Sequence, residues 1–186
     1  MPEPTRGLRD AESFQEIVLP HLDAAFNLAR WLVRNPQDAE DVVQEAYLRA
    51  FKSFAGYQGG DPRAWILKIV RNTSYSFLTK NRPAELAEEF DETLHTTESA
   101  QPPDAEAALL QSATGELLRE ALEGLPVRFR EVITLRELEG MSYKQIADVM
   151  DVPIGTVMSG LARGRAQLKQ SLLKRRDQEA QRGLRR

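Results

Sequence analysis

Apolar residues recur at every third or fourth position along almost the whole chain, and few stretches alternate as a half-buried strand would. Asn35-Pro36 and Asp61-Pro62 each place a capping side chain before a proline at the first helical position. Pro20 lies within the first helical pattern and predicts a break between residues 16 and 20. The clearest apolar stripe consists of Ala39, Val42, Val43, Ala46, Tyr47, Ala50, Phe51 and Phe54. This spacing predicts an all-α protein.

Charge divides the chain into three parts. Residues 1–83 carry 11 Lys/Arg and 10 Asp/Glu, residues 84–126 carry 1 and 11, and residues 127–186 carry 13 and 7. The formal net charge of -3 therefore hides an acidic middle segment and a basic C-terminal part. The start of the acidic segment is also poor in large apolar residues, which is typical of a linker.

The predicted organisation is two small helical domains, because 186 residues with 41% hydrophobic content can fill two small cores but not one large core. Leu22 is expected in the first core, and Leu138 is expected in the second. The boundaries are a first domain over 1–83, an acidic flexible linker over 84–104, a second domain over 105–175 and a basic tail over 176–186.

Several classes of function are excluded or disfavoured. The chain has no cysteine, and its two histidines, His21 and His95, are too few to build a metal site alone. There is no P-loop and no set of catalytic-triad residues, so an enzyme is the least favoured class. We expect no cofactor, no metal and no small-molecule substrate. Neither a signal peptide nor a membrane-spanning apolar run is evident, which predicts a cytoplasmic protein.

Residues 141–172, MSYKQIADVMDVPIGTVMSGLARGRAQLKQSL, have the pattern of a helix-turn-helix. Ser142 caps the first helix, and the small Ala147 allows the two helices to cross closely. Asp151 tolerates a left-handed backbone in the turn, and Val157 fills the gap between the helices. The second helix would place near base edges Ile154, Gly155, Thr156, Met158 and Ser159, with Arg163 and Arg165 near phosphates.

An ordinary helical hairpin with a solvated basic face is the alternative. Residues 152–186 carry 9 Lys/Arg against 2 Asp/Glu, and such an excess is costly unless a polyanion neutralises it. The terminal KRRDQEAQRGLRR is equally compatible with a frayed, solubilising tail.

Three segments in this order resemble extracytoplasmic-function (ECF) sigma factors of the sigma-70 family. NPQDAEDVVQEAYLRAFKSF resembles the polymerase-binding helix, DPRAWILKIVRNTSYSFL the minus-ten reader, and YKQIADVMDVPIGTVMSGLARGR the minus-thirty-five reader. The resemblance implies a sigma factor that binds core RNA polymerase at the largest-subunit clamp helices and the flap. It also implies binding to promoter DNA, transcription initiation at particular promoters and control by an anti-sigma factor.

The resemblance assigns roles to three sets of residues. The polymerase-binding set is Asp41, Gln44, Glu45, Leu48 and Lys52, in which Leu48 has the makeup of an interface anchor with a polar rim. The minus-ten set mixes cations, amides and aromatic rings as single-stranded DNA requires, and consists of Tyr57, Asp61, Arg63, Lys68, Arg71, Asn72 and Tyr75. The minus-thirty-five set adds Tyr143 and Lys144 to the seven recognition-helix residues named above.

Each assignment has a plain structural alternative. A single exposed leucine is normal on a soluble protein, and the polar face of the third helix would also suit solvent. The acidic linker is compatible with a cleft built for phosphates and with an ordinary spacer.

The chain departs from the family pattern GTVxSRLxRAR at three recognition-helix positions, and Ser76 stands where the family often has an acid. Met158 and Gly160 replace basic residues, and Gly164 replaces a frequent alanine, which predicts weak minus-thirty-five binding by the second domain alone. Two rival functions are a conventional repressor or activator and a sigma mimic that titrates an anti-sigma protein.

Overall fold

The computed structural model describes residues 12–87 and 115–183, and all regular structure in these two ranges is helical. The first range contains α1 (12–18), a 3-10 turn (Leu19–His21), α2 (Leu22–Val33), α3 (Pro36–Ser53), a 3-10 turn (Phe54–Gly56), α4 (Pro62–Asn81) and α5 (Pro83–Ala87). The second contains α6 (Gly115–Glu123), α7 (Val127–Ile133), a π-helical turn (Thr134–Leu138), α8 (Tyr143–Met150) and α9 (Ile154–Gly183). The all-α prediction is confirmed.

Capping side chains start the helices where the sequence predicts. Asn35 accepts hydrogen bonds from two backbone N–H groups in the first turn of α3, and Asp61 does the same for α4. Ser142 and Gln145 form a reciprocal capping box at the start of α8. The predicted break near Pro20 is the 3-10 turn between α1 and α2.

The first domain has its core where α2, α3 and α4 pack against one another. Phe14 of α1 adds edge-to-face contacts to the rings of Phe51 and Phe54, with centroids 5.3 Å apart in both pairs. The predicted burial of two residues is wrong, since Phe51 is 46% exposed and Leu22 is 43% exposed. Phe51 contacts only the edge of this core, and Leu22 follows the turn that Pro20 imposes.

In the second domain, α9 packs against α6, α7 and α8. The burial predicted for Leu138 is wrong, since this side chain is 45% exposed and Met141 is the fully buried one. The reason is the π-helical turn, in which the backbone N–H of Glu139 donates to the carbonyl of Thr134. A five-residue step shifts the helical phase, so residues that follow Ile133 face new directions.

The predicted helix-turn-helix is present. Asp151 adopts the left-handed region with φ 58° and ψ 47°, and its backbone N–H donates to the carbonyl of Ala147. Val157 is fully buried between the helices. Helix α9 continues to Gly183, so the boundary predicted at residue 175 falls inside a helix. Most of the predicted linker lies outside the described residues, but its first residues belong to α5.

The two domains pack against each other through α4 with α8 and through α2 with α7. Arg130 of α7 is fully buried and donates to the carbonyl of Leu32 in α2 at 3.1 Å. Arg34 donates in the opposite direction, to the carbonyl of Leu125 at 3.4 Å. Among the helices of residues 12–87 and 115–183, none is long and apolar enough to cross a membrane.

Gly160 and Gly164 of α9 differ in the space around them. A Cβ on Gly160 would meet only Val132 Cγ1 at 3.8 Å, whereas one on Gly164 would lie 3.1 Å from Ile133 Cδ1 and 3.3 Å from Phe129 Cβ. We expect Gly160→Ala to raise the free energy of unfolding by about 0.5–1 kcal/mol, since alanine is the better helix former. Gly164→Ala should gain less, because crowding opposes the same benefit. Urea unfolding of both variants checks this order, and equal gains would contradict it.

Candidate polymerase and nucleic-acid interfaces

The outer face of α3 presents all five residues of the predicted polymerase-binding set to solvent: Asp41, Gln44, Glu45, Leu48 and Lys52. Leu48 is 52% exposed and neighbours the half-exposed Phe51 along the helix. The Arg49 guanidinium lies 2.7 Å from the Glu45 carboxylate across one helical turn. This face therefore combines exposed apolar groups with a rim of charged and amide groups, the composition of a protein interface.

A groove of about 660 Å³ lies beside this face, between α2 and α3. Its apolar part comes from Leu22, Phe26 and Val43, and Tyr47 contributes an aromatic wall. Its rim is formed by Asp23, Glu40, Asp41 and Gln44. This groove could not be foreseen from the sequence, where the helical spacing predicts that Leu22 is buried.

The predicted minus-ten residues lie along α4 and the loop before it. Tyr57 stacks on Phe54 and donates its hydroxyl to the carbonyl of Gly60 at 3.0 Å. Gly59 and Gly60 adopt positive φ values of 89° and 101°, which glycine tolerates. Asn72 is exposed in the middle of α4.

The other five minus-ten residues contact the second domain, while Asp61 remains exposed. Arg63 Nη2 lies 2.6 Å from the Glu139 carboxylate, and Lys68 Nζ lies 3.2 Å from that of Asp151. Arg71 Nε donates to Glu131 at 2.5 Å. In addition, the Tyr75 hydroxyl donates to the second Glu131 oxygen at 2.8 Å, and Gln145 donates to Asp61 at 2.5 Å. The alternative of a purely solvated α4 face therefore does not describe these residues, which pair with the second domain.

The electrostatics of these contacts are strong because Glu131 is fully buried. Burial alone would lower the pKa of the Arg71 guanidinium, but the adjacent Glu131 carboxylate outweighs burial and raises the pKa. Burial likewise opposes ionisation of Asp61, yet hydrogen bonds from Gln145 and the α4 backbone lower the pKa of its carboxyl group.

The recognition helix of the helix-turn-helix begins with an exposed surface. All five residues predicted near base edges are exposed, namely Ile154, Gly155, Thr156, Met158 and Ser159. The two predicted phosphate contacts, Arg163 and Arg165, are half-buried, and Arg165 lies 2.5 Å from the Glu137 carboxylate. Lys144 on α8 is exposed, while Tyr143 lies under the Arg136 guanidinium.

Two family models match this architecture: residues 17–83 match Sigma-70 region 2, and residues 115–168 match Sigma-70 region 4. The chain is 35% identical over 172 residues to the ECF RNA polymerase sigma factor SigE of Mycolicibacterium smegmatis, covering 91% of this chain and 65% of that one. It is 35% identical over 154 residues to the ECF RNA polymerase sigma-E factor of Haemophilus influenzae, covering 78% and 79%. The chain belongs to the ECF sigma factors of the sigma-70 family.

A solved structure supports the same assignment for both domains. The sigma factor RpoE of Bartonella quintana, solved in complex with the anti-sigma factor NepR, is similar with a TM-score of 0.65 and 28% identity. The match covers 88% of this chain and 98% of that chain. The chain spans just under two thirds of the length of the Mycolicibacterium smegmatis relative, and most of the Haemophilus influenzae relative.

Three residues of this sigma factor were missed by the sequence analysis. Glu131 and Arg130 are fully buried, and Glu139 contacts both Arg63 and Asn27 of the first domain. Adjacent opposite charges within the apolar run VRFREVI were one available signal, because charges at core positions are rare unless they have partners.

Proposed function

We propose that this ECF sigma factor binds core RNA polymerase and directs it to promoters with two separate recognition elements. The observation that carries the proposal is the capped helix-turn-helix, whose second helix begins with exposed side chains beyond the left-handed Asp151. The match of residues 17–83 to Sigma-70 region 2 supports a polymerase-binding first domain on the same chain.

The proposed domains are a region 2 domain over 1–83, an acidic linker over 84–104, a region 4 domain over 105–175 and a basic tail over 176–186. The region 2 domain would bind the clamp helices of the largest subunit through the α3 face around Leu48. The exposed leucine and its polar rim support this role, as does the adjacent groove. The region 4 domain would contact the flap.

The DNA-binding roles divide between the two domains. The region 2 domain would bind the melted minus-ten strand through the loop before α4 and through the α4 face, with Asn72 and Tyr57 contacting unstacked bases. Support comes from the exposure of Asn72 and the glycine-rich turn beside Tyr57. The region 4 domain would place the start of α9 in the major groove of the minus-thirty-five element.

Regulation by an anti-sigma factor is part of the proposal. The similar RpoE was solved in complex with the anti-sigma factor NepR, and a similar structure is of CnrH in complex with the cytosolic domain of CnrY. The chain itself would perform no bond chemistry and would act in the cytoplasm, where its polymerase and DNA partners are located. The sigma-70 family is a class of non-enzymatic transcription regulators.

Run-off transcription with core polymerase on genomic fragments tests the proposal. We expect specific transcripts that start just downstream of a shared two-part motif and that require this chain. Binding to polymerase without transcripts would favour a sigma mimic, to which the basic residues missing at Met158 and Gly160 give some support. Failure to bind polymerase would favour an ordinary helix-turn-helix regulator.

Asn72→Ala should slow promoter opening by roughly tenfold while changing closed-complex affinity by less than about twofold. The reason is that the amide of Asn72 would contact a base only after the duplex has melted, when base edges become available. Stopped-flow fluorescence of a labelled minus-ten strand measures opening, and gel shift at low temperature measures closed binding. Ser76→Ala, one helical turn away on the exposed face, is the control. Equal losses in both steps would contradict a role in reading melted DNA.

A further inference from the structure

The second domain occupies the side chains that would bind the minus-ten strand. Five of the seven proposed minus-ten residues form hydrogen bonds or ion pairs with it: Asp61, Arg63, Lys68, Arg71 and Tyr75. The donors and acceptors come from α8, from the turn after it and from the α7 region. A DNA strand on α4 and this packing of the domains therefore compete for the same groups.

The centre of this contact is Glu131. Its carboxylate is fully buried and accepts from Arg71 on one oxygen and from Tyr75 on the other. The Arg71 guanidinium also lies 4.6 Å from the centre of the Tyr75 ring, so the three groups form one unit. A carboxylate in this position gives the guanidinium the same negative oxygens that a DNA phosphate would give.

Glu139, just after the π-helical turn, also contacts the first domain through both oxygens of its carboxylate. Its two oxygens accept from Arg63 and from Asn27, at 2.6 and 2.5 Å, and its side chain is only 8% exposed. The Lys68–Asp151 pair is more exposed, with side-chain exposures of 40% and 80%, and contributes little by comparison. The strong contacts are thus the two buried carboxylates.

We propose that Glu131 and Glu139 form a latch that keeps the free sigma factor closed and blocks its minus-ten face. The latch rests on the proposed minus-ten role of α4. In the closed form the two carboxylates take the place of phosphates, and binding of the melted strand requires the domains to separate. Core polymerase would favour the open form by holding each domain at its own site.

Glu131→Gln and Glu139→Gln keep the side-chain volume and remove the charge. The matched control is Glu137→Gln, because Glu137 pairs with Arg165 of its own domain. The probe is a fluorescent single-stranded oligonucleotide that carries the minus-ten part of the motif shared upstream of the run-off start sites. Its binding to the free chain is measured. Domain separation is followed by energy transfer between dyes at Gln37→Cys and Gln170→Cys, since the chain has no cysteine of its own.

We expect Glu131→Gln to bind the oligonucleotide at least tenfold more tightly than the parent chain and to lose energy transfer, with Glu139→Gln intermediate and Glu137→Gln unchanged. If circular dichroism shows that Glu131→Gln unfolds, Glu139→Gln alone decides. Unchanged oligonucleotide affinity in the folded variants would overturn the latch, as would equal gains in the Glu137→Gln control. Run-off transcription is measured in parallel with holoenzyme that contains the parent chain. Specific transcripts would establish the proposed function even where the latch fails.

A second, independent observation concerns the start of the recognition helix. Ile154 and Met158 lie one turn apart and are 45% and 54% exposed, although both are large and apolar. Residues 154–162 contain no cation, and a Cβ on Gly155 would meet no other atom within 4 Å. The surface that would face base edges is therefore apolar, with hydroxyls from Thr156 and Ser159.

We propose that Ile154 and Met158 select thymine in the minus-thirty-five element through its C5-methyl group. In the major groove that methyl is the one apolar group on a base edge, whereas guanine is read best by the arginine or lysine that these positions lack. This inference rests on the proposed role of α9, and it predicts which base is read without a bidentate hydrogen bond.

Replacing thymine with uracil tests the contact with the methyl group, because the two bases differ only by that methyl. In holoenzyme bound to a transcribed promoter, replacing one minus-thirty-five thymine by uracil should weaken binding about three- to fourfold, the value of one buried methyl. Met158→Ala or Ile154→Ala should abolish this loss, while Ser159→Ala should preserve it. Equal affinity for thymine and uracil at every position would overturn the inference, even where transcription establishes the sigma function.

Discussion

Leu48→Asp should weaken binding of the chain to core RNA polymerase by a factor of about 100 or more, while the fold remains intact. Leu48 is 52% exposed and lies among polar residues of α3, so a carboxylate there has little effect on the free protein. In a polymerase interface the same carboxylate would be buried beside apolar groups without a partner, which costs several kcal/mol. The substitution should therefore weaken binding without lowering the stability of the free protein, so a loss of affinity can be assigned to the interface.

The control for this prediction is Gln37→Asp, which introduces the same charge in the first turn of the same helix. Gln37 is exposed and lies about 16 Å from Leu48 along the α3 axis, and a carboxylate at a helix start is favourable. Fluorescence anisotropy with labelled sigma factor and core polymerase measures both affinities. An unchanged affinity for Leu48→Asp, or an equal loss for Gln37→Asp, would remove Leu48 from the interface.

Much of the fold could be predicted because local chemistry determines it. Asn35, Asp61 and Ser142 are caps that act within one turn, and Asp151 needs only its own backbone to adopt the left-handed region. The errors arose where local structure departs from the ideal helix. The π-helical turn after Ile133 changes the phase of the pattern, so Leu138 faces solvent although the spacing had predicted burial.

The contacts between the domains could not be predicted in the same way. A face such as that of α4 is polar both when it contacts solvent and when it pairs with another domain, and periodicity does not distinguish the two. The pairing of Arg71 with Glu131 joins residues 60 positions apart, so only the tertiary structure brings them together. The minus-ten role of these residues stays a prediction, and their contacts with the second domain could not be foreseen from the α4 pattern.

Arg130, like its neighbour Glu131, is a charged side chain in the core of the part of the chain that the structure describes. It is fully buried, and its guanidinium donates to three carbonyls: Glu123 and Leu125 in its own domain, and Leu32 in the first domain. Burial, followed by the repulsion of Arg34, lowers the pKa of Arg130 to about 10. The side chain therefore stays charged at neutral pH, and its three hydrogen bonds to carbonyls offset part of the cost of burial.

Arg130→Ala should lower the free energy of unfolding by about 3–5 kcal/mol, because it removes three buried hydrogen bonds, leaves the Leu125 carbonyl only the longer one from Arg34 and also opens a cavity. Arg136→Ala is the control, since Arg136 donates to the single carbonyl of Met141 and should cost about 1 kcal/mol. Arg130→Met keeps most of the volume and removes the buried charge, so it should cost less than Arg130→Ala. Urea unfolding followed by circular dichroism gives all three values. A loss below that of Arg136→Ala would mean that the desolvation cost of the buried cation cancels its three hydrogen bonds, and that Arg130 does not hold the domains together.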